Sequence, residues 1–219
     1  MRLDAERSST ATLFLNMGPV VGQLLANSKV AESWEQPSAL EGMSVGALAA
    51  HLGRAFTTAA AYLGEDECEV EEDIDASEFY LRALDRSAEE LLELNVGISQ
   101  RAADDARLGP AEILRRHKQT LEDLSDALAS SGTKRGIRVF DGICMTLDSY
   151  LVTRMVEAVV HSDDLAHSVD IDTPHFETDA IDVVLVTLLG IARNRNGDQE
   201  VIRQFTRAER SNGQILPVL

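Results

Sequence analysis

Lysine is nearly missing from this chain: of 20 basic residues only Lys29, Lys118 and Lys134 are lysines, set against 37 acidic residues. The formal charge of −17 repels phosphate backbones and anionic lipid, which excludes a general nucleic-acid role and a membrane-surface role. No apolar run reaches ~18 residues, and no signal-like stretch precedes the first helical pattern, so no membrane span is expected. Cysteine is confined to Cys68 and Cys144, far apart and without a CxxC pairing. The expectation is two free thiols in a reducing cytoplasm. Acidic neighbours would raise the pKa of Cys68 and apolar ones that of Cys144, so neither reads as a nucleophile. Also missing are GxGxxG or GxxxxGK after a strand, a GxSxG elbow, and any repeat of ~20 to 50 residues. Nucleotide binding and serine hydrolysis therefore lack their signatures.

What is present is helical periodicity. A chain of 219 residues with 44% apolar content can bury a real core, as one medium domain or a domain with a small appendage. Apolar spacing predicts helices over about 7–34, kinked at Pro19, then 44–64 with Ser44 as N-cap, 77–103 with Ser77 as N-cap, and 110–131. After these come about 147–169, 178–194 and 198–210, the last two split by Asn196 and Gly197. Residues 65–78, EDECEVEEDIDASE, read as a solvated acidic loop, since the glycine and the DxDxDG spacing of a calcium loop are missing. Residues 133–146 alone have strand character and are expected to close one end of a bundle, and a short apolar tail covers 213–219. His117, flanked by Arg115, Arg116 and Lys118, is expected at the surface.

One helix carries a pattern that asks for explanation. Within YLVTRMVEAVVHSDDL, Arg154, Glu157, His161 and Asp164 follow one another at spacings of three, four and three. With Tyr150 they fall in one stripe of ~80° on a helix whose other side is apolar. Glu157 and His161 stand one turn apart, the separation at which one helix face donates two ligands to a divalent cation. The same stripe also fits the solvent side of an amphipathic helix, with Arg to Glu and Glu to His pairs. His51, between the small residues Ala47 and Ala55, is either a half-buried histidine satisfied locally or a third ligand.

Two segments together resemble a known family. MSVGALAAHLGRA, which contains His51, and DGICMTLDSYLVTRMVEAVVHSDDLAHSV are similar to the two signatures of the mycothiol-dependent maleylpyruvate isomerase family, within the DinB-like superfamily. The resemblance covers about residues 8–170. Helical periodicity gives an all-α bundle, which the resemblance makes a DinB-like four-helix bundle over 1–170, and the helical patterns over 171–219 read as a short C-terminal helical extension. The resemblance also implies a divalent metal, zinc in most relatives, held by His51, Glu157 and His161. Arg154 would orient an anionic substrate or pair with an acid such as Glu157. Asp164 would support a ligand imidazole from behind or be a helix-end surface acid.

The implied function is that of a cytoplasmic, metal-dependent thiol S-transferase or isomerase. It would use mycothiol or a similar small thiol on a small electrophile, as a monomer or homodimer. The alternative is a non-catalytic metal- or ligand-binding bundle with a regulatory or interaction role. The isomerase carries a larger sterol-carrier-like C-terminal domain, whereas about 50 residues follow Val169 in this sequence. Maleylpyruvate itself is not the expected substrate. Arg193, Arg195, Arg207 and Arg210 receive no role.

Overall fold

Helix starts in this chain are fixed by side-chain caps, and those caps set which faces meet. The computed structural model describes residues 9–72, 74–132, 134–139, 142–210 and 217–218. The helices are α1 (Thr10–Leu25), α2 (Ser28–Glu32), α3 (Val45–Leu63), α4 (Ala76–Leu84), α5 (Ala88–Ala106) and α6 (Pro110–Ser130). A hairpin of β1 (Gly136–Arg138) and β2 (Cys144–Thr146) follows, then α7 (Leu147–Ser168), α8 (Thr178–Asn196) and α9 (Asp198–Thr206). Ser9, Ser44, Asp75, Ser87 and Thr146 each accept a backbone N–H of the turn they open.

Four long helices form a ring in which α1 and α3 each pack against both α6 and α7. This is the all-α bundle expected from the periodicity. Phe14 of α1 stacks on Phe56 of α3 with ring centroids 4.8 Å apart, and the His117 ring of α6 meets Phe56 edge-on at 5.0 Å. The face of α3 is rich in buried small residues, among them Ala47, Ala49, Ala50, Ala55 and Ala59. Neighbouring helices can therefore approach its backbone closely. α5 lies on the outside of α3, while α8 packs on α7 and α4.

Four expectations need correction. His117 is 1% exposed, not at the surface, and its Nε2 lies 2.9 Å from the carbonyl oxygen of Gly18. It fills the gap in the stripe Ile113, Leu121, Leu124, Leu128, and its charged neighbours sit about 100° away on either side. The first helix does not run through to Trp34: α1 carries Pro19 internally and ends at Leu25, and Asn27 caps the separate α2. The helix expected over 77–103 is two, α4 and α5, because Ser87 and Glu90 form a capping box that starts a new helix. Its N-cap is Asp75 in place of Ser77. Most of the tail 213–219 lies outside the described residues.

The fourth correction concerns the cysteines. Cys68 and Cys144 form a disulfide across 76 residues, so neither is a free thiol and the argument from free thiols to a reducing compartment falls. No helix among the described residues is long and apolar enough to cross a membrane. The bridge ties the loop that leaves α3 to β2, which runs straight into α7. Gly136 lets that loop come close, since a Cβ there would lie 1.9 Å from the Cys68 carbonyl oxygen. The hairpin thus clamps the exit of α3 to the entrance of α7.

Closing a loop of that length removes denatured-state entropy worth about 4 kcal/mol in the chain-entropy picture. Replacing both cysteines with serine should lower the urea midpoint by an amount corresponding to roughly 2–4 kcal/mol. The variant's midpoint should no longer respond to reductant, whereas the parent's should.

Candidate metal centre

The adjacency of α3 and α7 brings together residues separated by more than a hundred positions. His51 lies in the second turn of α3, with Ala47 and Ala55 leaving room beside its ring. Glu157 and His161 lie one turn apart on α7, and their stripe faces α3, not open water. Side-chain exposure is 16% for His51, 24% for Glu157 and 15% for His161. One potential ligand atom from each falls within 4.8 Å of the other two.

Glu157 Oε2 is the shared point. It lies 3.3 Å from His161 Nε2 and 3.9 Å from His51 Nε2, and the two imidazoles meet edge to face at 4.7 Å. A tetrahedral zinc with bonds of ~2.0–2.2 Å needs ligand atoms roughly 3.3–3.6 Å apart. The His161 to Glu157 pair already has that spacing at 3.3 Å, and His51 Nε2 lies somewhat beyond it at 3.9 Å from the same oxygen. Two nitrogens and one carboxylate oxygen form a donor set suited to zinc, with nickel or iron as substitutes.

Groups behind these three decide how they point. Asp164 Oδ2 lies 3.1 Å from His161 Nδ1, so a proton on Nδ1 is held there and Nε2 is left for the cation side. Tyr80 of α4 donates its hydroxyl to Glu157 Oε1 at 2.9 Å. His51 Nδ1 is buried without a hydrogen-bond partner. The guanidinium of Arg154 lies 5.3 Å from the centroid of the Tyr150 ring, and its Nε donates to Thr153 Oγ1 at 3.1 Å. Among the described residues no carboxylate comes within ion-pair distance of Arg154, so the expected alternative of a pair with Glu157 is not what the side chain does.

The charge states follow from these contacts. Burial pushes His51 down to about 4, and the neighbouring His161 adds to this, so its imidazole is neutral at pH 7. Burial also opposes charge on His161, but Asp164 and Glu157 outweigh it and raise the group to about 9. Burial would raise Glu157; the His161 hydrogen bond and the Arg154 charge win and hold its carboxyl far below the usual carboxylate range. In the cation-free protein the His161 proton therefore occupies the electrostatic role that a divalent cation would take over.

Every candidate named from the sequence lies in or beside this cluster. Tyr80 was missed, because nothing in its own helix pattern points to a residue 77 positions further on. An open cleft of about 690 Å³ lies elsewhere, lined by Asp75, Glu78, Arg82 and Arg195 at the α4–α8 junction. Arg193 pairs with Asp198 at 2.7 Å, and Arg195 donates to the Val218 carbonyl oxygen at 2.9 Å.

Fold and cluster together define an all-α bundle with a helix-borne His, Glu and His set. Residues 22–166, well over half of the chain, match the family model of the mycothiol maleylpyruvate isomerase N-terminal domain, and the chain belongs to that family. Searches of curated proteins and of solved structures returned no match. The matched range includes all three clustered residues with Tyr80, Arg154 and Asp164, and it ends before α8.

Because His161 holds a proton up to about pH 9, cation uptake at neutral pH must displace it. Lower pH favours the proton, so zinc affinity should fall with acidification, about tenfold per pH unit below pH 9. Zinc titrations at pH 6, 7, 8 and 9 measure this slope, and a flat profile would place the cation away from His161.

Proposed function

We propose that this protein is a zinc-dependent thiol transferase or isomerase that brings mycothiol, or a similar small thiol, to a small electrophile. The observation that carries this reading is the convergence of His51 and His161 on one oxygen of Glu157, in a chain of the mycothiol maleylpyruvate isomerase family. Three protein ligands leave an open coordination position, the pattern of catalytic zinc rather than structural zinc. A bound divalent cation would supply Lewis acidity that lowers a thiol's pKa, so that thiolate is present near neutral pH.

The chain's own groups have separable roles in this scheme. His51 is neutral at working pH and offers a lone pair without first losing a proton. Asp164 holds the Nδ1 proton of His161 and so directs Nε2 to the cation. Arg154, charged and with no carboxylate at ion-pair distance among the described residues, orients an anionic group of the electrophile. In addition to an unsaturated acid, sulfur forms the new bond to the electrophilic carbon. The proton released by the thiol goes to the neighbouring carbon, so no further co-reactant is needed.

One observation favours a second reading, a metal- or ligand-binding bundle without turnover: the wide α4–α8 clefts do not include the three clustered residues. The two readings separate in one assay set. Purified protein should bind about one zinc per chain, and His51→Ala, Glu157→Ala and His161→Ala should each abolish tight binding. Zinc-loaded protein should consume mycothiol and an unsaturated carboxylic acid together. Arg154→Met should lower kcat/KM for that acid at least about tenfold while zinc content is unchanged. Zinc uptake without thiol consumption would select the non-catalytic reading, and no zinc uptake would remove the transferase reading and leave only a metal-free ligand-binding bundle.

A further inference from the structure

We infer that Tyr80 is a positioning residue that holds Glu157 to one-oxygen coordination, and so keeps a position beside the cation free for an outside ligand. This rests on the metal reading above. The two oxygens of Glu157 are already divided: Oε2 faces both imidazoles, at 3.3 and 3.9 Å, and Oε1 accepts the Tyr80 hydroxyl at 2.9 Å. The same hydroxyl lies 3.1 Å from the Thr153 carbonyl oxygen, one turn earlier on α7. For the carboxylate to grip a cation through both oxygens, it would have to give up a charge-assisted hydrogen bond in a half-buried setting. Two-oxygen coordination would also fill the position that a thiol needs.

Tyr80 is well placed for this role. It is 8% exposed, and a phenol carries its proton at neutral pH, so its hydroxyl is available as a donor. α4, which carries it, packs against both α7 and α8. The contact with α8 is close at Gly190, where a Cβ would lie 3.0 Å from Ser77 Cβ. Helix α8 lies outside the range that matches the family model, yet it braces the helix that sets the mode of Glu157.

The test compares full-length protein and Tyr80→Phe, each loaded with cobalt(II) in place of zinc, with 2-mercaptoethanol as the probe thiol. In the parent the cobalt visible bands should have the intensity of a four-coordinate site, and a thiolate-to-cobalt band should grow on titration. Tyr80→Phe should bind cobalt about ten- to a hundredfold more weakly. Its bands should weaken towards higher coordination, and it should require more thiol for the same thiolate band. Circular dichroism and the melting curve of the cation-free variant check that it folds.

Should that variant not fold, the parent answers alone. The infrared difference spectrum between loaded and cation-free protein should show the wide carboxylate splitting of one-oxygen coordination, and a narrow splitting overturns the inference. Identical cobalt spectra and thiol titrations in parent and variant overturn it while leaving the metal reading in place. A parent that takes up no cobalt or zinc overturns both.

Discussion

A carboxylate withdrawn from water is costly unless donors or cations surround it, and the site helices of this protein converge on one such group, Glu157. Tyr80 reaches it from α4, His161 from the next turn of α7 and His51 from α3, while the positive field of Arg154 comes from the turn below. The balance explains why neighbouring imidazoles part so widely in proton affinity. His161, between two carboxylates, keeps a proton, and His51, which has only part of one, does not. On the proposed reading, a proton and a divalent cation compete for the same electrostatic vacancy.

The precision of the cluster depends on holding α3 and α7 at one relative register. Small residues along α3 allow close approach, and the hairpin with its disulfide ties the end of α3 to the start of α7. The helices are thus fixed near one end by a covalent clamp and along their length by packing. Trp34 secures another part of the bundle by donating its indole N–H to the Ala106 carbonyl oxygen at 3.0 Å while lying against Gly46 of α3.

The spans of α3, α6 and α7 were readable from sequence because each combines a strong apolar stripe with a clear start signal. So was the candidate set, since Glu157 and His161 share a helix face and His51 came from the family resemblance. What escaped the sequence depends on contacts between distant segments. His117 looked superficial because charged neighbours in the chain outweighed its place, four residues after Ile113 and four before Leu121, in a buried stripe. The pairing of Cys68 with Cys144 needed the hairpin folded back on the α3 exit. Tyr80 needed α4 in position, and α4 itself was hidden by reading through Asp85, Arg86 and Ser87, although Ser87 and Glu90 spelled a helix start.

The sign of the whole molecule bears on what reaches the site. A net charge of −17 draws divalent cations inward and slows the approach of anions, more strongly at low salt. Arg154 reverses that sign locally, half-buried over the Tyr150 ring, where screening is weaker than at the surface. The guanidinium lies in the field of Glu157, yet among the described residues no carboxylate comes within ion-pair distance of it. On the proposed reading, the acid group of the electrophile makes that close contact. On the same reading, a thiol that carries no net charge approaches without electrostatic penalty, so the two reactants are distinguished by charge before either meets the cation.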